Sequence, residues 1–210
     1  MNKKFIIASA LLSLASFLVP PKSEAPMKIE NKLKEITISK KSYIKDNTKI
    51  PKYEYKNIDY LKVYPLLISS FLEMPDYITK DFLEYQMDAE SGGNPKCISN
   101  KDARGLMQVT REAWEDVEKK MSFDKNSLDP IRNVYVAGKY IIFIHEDFEN
   151  SHPRWNELND KEKRMAVAAA YNGGPERLKK KKWDISQMPE ETRDYVRKIE
   201  KRMENYSNFK

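Results

Sequence analysis

The spacing of apolar residues from position 58 onward constrains the fold more than any other feature of the sequence. Along this part of the chain, apolar residues recur at steps of three and four, and glycine or proline ends most series, as in amphipathic α-helices. Residues that favour helix N-caps precede four of these series: Thr79, Thr110, Asp129 and Asn159. Patterns typical of strands are scarce. We therefore predict an all-α domain over residues 58–210.

Two segments of different character precede this domain. Residues 1–25 have a basic start and an apolar run from Phe5 to Val19, which is short for a membrane span and typical of a signal peptide or N-terminal anchor. Residues 23–25 have the small-x-small form of a cleavage site, but Pro26 follows them, so removal and retention both stay open. Residues 26–57 are polar with little apolar periodicity, which favours a flexible linker. We expect export to the periplasm or cell envelope, with an inner-membrane tether if the apolar segment is retained.

The charge balance narrows the range of partners. The chain carries 38 Lys and Arg against 32 Asp and Glu, a net charge of +6, and such an excess suits cell-wall polymer, lipid headgroups or nucleic acid. The sequence has no zinc-finger, RNP or helix-turn-helix pattern, so we predict no nucleic-acid partner. The basic run Lys179–Lys182 is predicted to be a solvated face that adds attraction to anionic strands.

Disulfide and metal chemistry find little support in the sequence. Cys97 is the only cysteine, so it can form no internal disulfide, and we expect a small buried side chain. His145 and His152 are seven positions apart without an accompanying cluster of ligands. We therefore predict no metal site and no cofactor.

A single carboxyl group, that of Glu90, is the candidate for acid–base chemistry. It ends a helical series that starts after Thr79, because the run Ser91-Gly92-Gly93-Asn94-Pro95 cannot continue a helix. A carboxylate at the negative end of a helix dipole is disfavoured, and apolar surroundings would raise its pKa further. Such a group can serve as a general acid near neutral pH. The alternative from this fragment alone is an ordinary solvated helix end.

Several blocks of sequence, in order and at similar spacing, resemble the soluble lytic transglycosylases, relatives of goose-type lysozyme. The blocks are Glu-Ser-Gly-Gly-Asn-Pro at 90–95 with Ala-Arg-Gly-Leu-Met-Gln at 103–108, Asp-Pro at 129–130 with Asn133 and Ala-Gly-Lys-Tyr-Ile at 137–141, Ala-Tyr-Asn-Gly-Gly-Pro at 170–175, and Glu-Thr-Arg-Asp-Tyr-Val at 191–196. Ordered blocks are far more specific than any single motif. The resemblance covers about residues 58–205 and implies a lysozyme-like fold. Ala137, where the family usually has glycine, and Cys97, where a small residue is common, depart from the pattern.

The resemblance implies that Glu90 acts first as acid and then as base. In this family the C6 hydroxyl of N-acetylmuramic acid (MurNAc) attacks C1 of the same sugar, which leaves a 1,6-anhydro end without water. This chemistry removes the need for the second carboxylate that most glycosidases use. Asp102 and Glu112, which flank the Gly-Leu-Met-Gln segment, are predicted to be surface charges.

The resemblance also assigns substrate-binding roles to six residues: Ser91, Met107, Gln108, Tyr171, Asn172 and Tyr195. Several alternatives remain open. Ser91 suits the cap of its helix equally well, Met107 suits the core, and both tyrosines suit core packing with a satisfied hydroxyl. The amide of Gln108 can both donate and accept hydrogen bonds with sugar groups. Gly105 is predicted to permit a backbone conformation or a close approach that a side chain would block.

These patterns lead to one functional hypothesis and two alternatives. The hypothesis is an exported, monomeric lytic transglycosylase that cleaves the β-1,4 bond between MurNAc and N-acetylglucosamine (GlcNAc) in peptidoglycan strands. The first alternative is a goose-type muramidase, which would use water as the nucleophile. The second is a wall-remodelling or wall-binding component of a secretion, conjugation or phage apparatus. The joint presence of Glu90, Gln108 and Tyr171 favours an active enzyme.

Overall fold

The computed structural model describes residues 60–207, and the predicted signal segment (1–25) and linker (26–57) lie outside them. The described chain forms eight α-helices: α1 (Tyr60–Phe71), α2 (Lys80–Ser91), α3 (Arg111–Val117), α4 (Phe123–Asn126), α5 (Pro130–Ser151), α6 (Asp160–Gly173), α7 (Pro175–Lys180) and α8 (Glu190–Ser207). Short 3-10 helices occupy Trp155–Glu157 and Ile185–Gln187. Within residues 60–207, β pairing is limited to two isolated bridges. The predicted all-α fold is confirmed.

The predicted helix starts are also confirmed, because each capping side chain accepts a backbone N–H. The hydroxyl of Thr79 caps α2 and that of Thr110 caps α3, each across 3.2 Å. The carboxylate of Asp129 caps α5, whose first residue is proline. Asn159 and Glu162 form a reciprocal capping box at the start of α6. Local sequence therefore determines where these helices begin.

The longest helix, α5, supplies much of the core. It has 22 residues, and one face is buried: Val134, Val136, Ala137, Ile141, Ile144 and Phe148. Helix α1 packs against α2 and α5, while α8 packs against α2 and α6. Ala137, which departs from the family pattern, is fully buried in this core. None of the helices within residues 60–207 is both long and apolar enough to cross a bilayer.

The positive charge of the chain does not lie in the helical domain. Residues 60–207 contain 25 Lys and Arg against 26 Asp and Glu, whereas residues 1–59 contain 12 against 6. In the basic run, Lys179 is not simply solvated, because its Nζ lies 2.6 Å from Asp147 and 2.9 Å from Glu176. The predicted solvated face is therefore corrected at Lys179, which pairs with two carboxylates.

Candidate active site

Glu90 lies in the last turn of α2 with its carboxyl enclosed, although the residue as a whole is only half-buried. The helix ends at Gly92, which adopts a left-handed conformation (φ 60°) and donates its N–H to the carbonyl of Asp88. Burial raises the pKa of Glu90 from 4.5 to about 8, and the nearby charge of Glu191 adds to this effect. The predicted rise is therefore present, and the carboxyl is protonated at neutral pH, as a general acid must be.

Two tyrosines approach this carboxyl from other helices. Tyr195 of α8 donates its hydroxyl to Oε1 of Glu90 across 2.6 Å, and this bond opposes the effect of burial on the pKa of Glu90. Tyr171 of α6 donates its hydroxyl to the carbonyl of Met107 across 2.8 Å. Burial, with the nearby charge of Glu90, raises the pKa of both tyrosines well above 10. Both hydroxyls therefore stay neutral and can donate hydrogen bonds.

The loop between α2 and α3 is held by its own backbone and by one side-chain amide. The carbonyl of Cys97 accepts the N–H of Gly105 across 2.8 Å and Nε2 of Gln108 across 3.1 Å. The same Nε2 donates to the carbonyl of Gly105 across 2.9 Å. Cys97 is only half-buried, which corrects the predicted buried thiol: its carbonyl, rather than its side chain, makes the structural contacts.

Asn133, buried on α5, fastens this loop to the core. Its Oδ1 accepts the N–H of Met107 across 2.8 Å. Its Nδ2 donates to the carbonyls of Arg104 and Ser127, across 2.8 and 2.9 Å. Gly105 has φ 78°, and a Cβ there would lie 2.5 Å from Nδ2 of Asn133, so both predicted reasons for glycine are present. Sequence reasoning noted Asn133 within a block but missed its role, because a single asparagine gives no sign of its distant partners.

Comparison with known proteins identifies the domain. A family model described as "Transglycosylase SLT domain" matches residues 74–193, which is more than half of the chain. The chain belongs to the transglycosylase SLT domain family. The resemblance predicted from the ordered sequence blocks is therefore confirmed.

One similar solved structure is described as an X-ray structure of an inactive mutant of lytic transglycosylase Slt from Pseudomonas aeruginosa. The identity is 19%, the TM-score is 0.44, and the match covers 57% of this chain and 20% of that chain. The match thus spans about a fifth of the length of that protein. No curated protein sequence matches the chain.

In this SLT domain, Ser91 and Met107 make contacts within the protein. The hydroxyl of Ser91 donates to the carbonyl of Leu106 across 2.7 Å and accepts the N–H of Gly93 across 3.2 Å, so it joins the end of α2 to the loop that follows. The side chain of Met107 is 0% exposed, so it packs in the core rather than on a groove surface. Only its backbone takes part in the site, through Asn133 and Tyr171.

Asn172 and Gln108 support the elements that surround Glu90. Oδ1 of Asn172 accepts the hydroxyl of Thr192 across 2.8 Å, which joins the end of α6 to the start of α8. Thr192 is buried and was not singled out from the sequence. The structure thus brings the carboxyl of Glu90 together with Tyr171 and Tyr195, while Asn172 and Gln108 fix the adjoining backbone.

Within residues 60–207 of this SLT domain, a second carboxylate, that of Glu191, acts on Glu90. Asp102 and Glu112 are exposed, as predicted, and Asp102 is ion-paired with Arg104. Glu191, on the first turn of α8, raises the pKa of Glu90, yet its side chain is 71% exposed and lies 3.3 Å from Nζ of Lys101. Sequence reasoning missed Glu191. The available signal was its position four residues before a candidate tyrosine on one helix, which places both on the same face.

Metal-binding geometry is missing from the described part of this SLT domain. Within residues 60–207, no group of three or more His, Cys, Asp or Glu side chains is placed to hold an ion. Nδ1 of His145 lies 3.0 Å from the hydroxyl of Tyr77, and His152 packs edge-on against Trp183. Both histidines therefore pack within a cluster of aromatic side chains.

Proposed function

We propose that this SLT domain is a peptidoglycan lytic transglycosylase in which Glu90 is the only acid and base. One observation carries the proposal: an enclosed carboxyl with a pKa of about 8 accepts a 2.6 Å hydrogen bond from a neutral tyrosine. A carboxyl that stays protonated at neutral pH can give its proton to a glycosidic oxygen. The proposed bond is the β-1,4 linkage between MurNAc and GlcNAc.

The proposed reaction moves one proton out of Glu90 and one back. Glu90 first protonates the glycosidic oxygen while the bond from that oxygen to C1 of MurNAc breaks, and GlcNAc leaves as an alcohol. The Glu90 carboxylate then removes the proton of the C6 hydroxyl while the C6 oxygen bonds to C1. The sugar chain is cut without water and Glu90 regains its proton. Tyr195 stabilises the intermediate carboxylate, because its hydrogen bond lowers the pKa of Glu90.

The surroundings of Glu90 favour this route over hydrolysis. A hydrolytic glycosidase commonly uses a second carboxylate as nucleophile or to activate water. Asp102 and Glu112 are exposed, and Glu191 is mostly exposed and paired with Lys101. An intramolecular hydroxyl needs only Glu90 as its base, which matches a site with one enclosed carboxyl.

Substrate and location complete the proposal. We place the glycan strand beside Glu90, along the surface that includes Gln108, Tyr171 and Asn172. The apolar run from Phe5 to Val19 supports export to the periplasm or cell envelope, where peptidoglycan is found. Residues 58–210 would then be the catalytic domain.

The test is a digest of purified peptidoglycan sacculi with the full chain and with the Glu90→Gln variant, followed by mass spectrometry of the products. We expect muropeptides that end in 1,6-anhydro-MurNAc, lighter by one water than the hydrolysis products, from the wild type alone. Glu112→Gln serves as the matched control, because this exposed carboxylate is not part of the proposed site. It should release the same products at the wild-type rate.

Other outcomes select the alternatives. Reducing ends that take up oxygen from labelled water would replace the proposal with a goose-type muramidase. Tight binding to sacculi with no product that depends on Glu90 would replace it with a wall-binding component of a larger apparatus.

A further inference from the structure

Gln86 is a buried polar residue that the proposed reaction does not use. It lies four residues before Glu90 on α2, and residues at this spacing share one face of a helix. Its side chain is 0% exposed, like those of the apolar neighbours Leu83 and Met87. A glutamine in such a position must place a donor and an acceptor inside the core.

The amide of Gln86 is not satisfied by ordinary hydrogen bonds. Among residues 60–207, neither Nε2 nor Oε1 has a partner of normal length and angle. Gln86 lies one turn before Glu90 on α2, and α2 packs against α8, from which Tyr195 donates its hydroxyl to Glu90. In keeping with this placement, the Gln86 amide lowers the pKa of the Tyr195 hydroxyl, as a donor to the phenolic oxygen does. Buried polar groups without partners are few in folded proteins, so this one requires an explanation.

We propose that Gln86 is a positioning residue that acts on Glu90 through Tyr195. The amide N–H of Gln86 faces the phenolic oxygen of Tyr195, so the single hydroxyl proton of Tyr195 points away from Gln86 and toward Oε1 of Glu90. The order along the interface of α2 and α8 is thus Gln86, Tyr195, Glu90. This inference rests on the proposed function for its catalytic meaning, but the arrangement can be tested without turnover.

The chemical reason is the limited capacity of a phenol. Its oxygen carries one proton to donate, and its lone pairs accept from donors such as an amide. An amide directed at the lone pairs disfavours a rotation that would turn the proton away from Glu90. The same contact makes the hydroxyl a better donor, because linked hydrogen bonds polarise one another. Gln86 would therefore help to stabilise the carboxylate that forms when Glu90 gives up its proton.

Other groups also act on Glu90 and must be held constant in a test. The charge of Glu191 raises the pKa of Glu90 from the start of α8. Tyr171, from the end of α6, interacts electrostatically with Glu90 and with Tyr195. A variant of Gln86 leaves these groups in place, so a change in the titration of Glu90 reports on Gln86 and Tyr195.

The experiment measures the titration of Glu90 by NMR in the full chain labelled with carboxyl-¹³C glutamate. The signal is assigned by its loss in Glu90→Gln. In Gln86→Met, which keeps the shape but removes the amide, we expect the pKa of Glu90 to rise by about 0.5–1 pH unit. The matched control is Leu83→Met on the same buried face of α2, which should leave the titration unchanged.

A double variant separates positioning from packing. If Gln86 acts through Tyr195, adding Gln86→Met to Tyr195→Phe should shift the titration no further than Tyr195→Phe alone. Gln86→Leu repeats the test should the methionine variant fail to fold. An unchanged titration in a folded Gln86 variant would overturn the inference, and so would fully additive shifts in the double variant.

Turnover distinguishes this inference from the proposed function. An unchanged Glu90 titration in an enzyme that forms 1,6-anhydro ends would remove only the role of Gln86. The expected shift in a protein without such products would keep the arrangement and remove its catalytic meaning. Where both hold, the pH at which activity falls should move upward with the titration in Gln86→Met.

Discussion

Glu90 and Glu200, both within residues 60–207, place enclosed carboxyls against or on α8, and the surroundings of the two carboxyls differ in kind. Glu90 meets α8 near its start, while Glu200 lies further along the helix and is 8% exposed. Burial raises the pKa of both. Near Glu200 the cations Arg164 and Lys161 oppose this effect, and Arg164 lies 3.9 Å away. Near Glu90 the opposing group is the neutral hydroxyl of Tyr195, and the carboxylate of Glu191 acts in the same direction as burial.

This contrast shows that the type of neighbour, and not burial alone, decides what a buried carboxyl can do. Cations beside Glu200 favour its ionised form, so it serves as one member of an ion pair between α6 and α8. A hydroxyl beside Glu90 supplies one hydrogen bond but no opposite charge, so the proton stays on the carboxyl at neutral pH. One carboxyl is therefore structural, and the other is suited to proton transfer.

The largest expected effect is on turnover. Glu90→Gln should lower the rate of release of 1,6-anhydro products by about 10³-fold, because acid–base groups typically contribute 10²–10⁴-fold. Glu200→Gln is the matched variant at the other buried carboxyl and should retain the rate within about threefold. Rates are measured on soluble glycan strands at pH 6. Equal losses in the two folded variants would remove the functional distinction between the carboxyls.

The next effect is on the pH dependence of stability. Because the pKa of Glu90 is raised to about 8 in the folded protein, the folded state holds a proton that the unfolded state has lost above about pH 4.5. Stability should therefore fall as the pH rises from about 4.5 to about 8, and then level off. At pH 9, Glu90→Gln should be more stable than the wild type by about 2–4 kcal/mol, less than the full shift implies because the residue is only half-buried.

Urea denaturation at pH 4.5 and pH 9 measures this difference. The gain in Glu90→Gln should be small at pH 4.5, where the glutamate is largely protonated in the folded state. If the urea midpoint of Glu90→Gln differed from that of the wild type by the same amount at both pH values, the fold would not be holding the carboxyl protonated.

A smaller effect should follow when Glu200 loses its cation. Arg164→Met should destabilise the protein by about 1–3 kcal/mol at pH 7, because a mostly buried carboxylate loses its partner. The loss should shrink toward pH 4, where Glu200 becomes protonated. The control is Arg197→Met, which removes an exposed ion pair with Asp194. It should change the free energy of unfolding by less than about 1 kcal/mol. Equal decreases in melting temperature for the two variants would show that the pair of Arg164 and Glu200 stabilises the protein no more than an exposed pair does.

The smallest effect concerns the charge of Glu191. Glu191→Gln should lower the pKa of Glu90 by a few tenths of a pH unit, because it removes a weakly acting negative charge that is mostly exposed. Glu190→Gln, one residue earlier on α8, is the control and should leave the titration in place. Carboxyl-¹³C NMR resolves such shifts. An equal shift in both variants would indicate a general surface effect.

Many local features of this fold could be predicted from the sequence. The caps at Thr79, Thr110, Asp129 and Asn159 were predicted because a capping side chain binds backbone groups only two or three residues away. The end of α2 at Gly92 was predicted for the same reason, since a glycine cap acts locally. The direction of the pKa shift of Glu90 was also predicted, but its main cause is burial, which depends on tertiary packing. The family was predicted because several short blocks kept their order.

The roles of individual side chains were harder to predict where one residue type suits two different roles. Ser91 suited a cap or a sugar contact, and Met107 suited the core or a groove. The structure bonds the hydroxyl of Ser91 to the carbonyl of Leu106 and places Met107 in the core. The sequence did not show that Nε2 of Gln108 binds the carbonyls of Cys97 and Gly105; the predicted contact of Gln108 with sugar groups stays a prediction. Periodicity shows which face of a helix is apolar, but it does not show which partner an amide or hydroxyl will find in a loop.

The sequence by itself determined the helices, their ends, the family and the identity of the candidate acid, because each depends on neighbouring residues or on short ordered motifs. Only the tertiary structure decided which side chains surround that acid. Tyr195 is 105 residues from Glu90, and Asn133 reaches back 29 residues to the carbonyl of Arg104. Burial and hydrogen bonding between such distant residues exist only after the helices have packed, and these contacts set the pKa of Glu90.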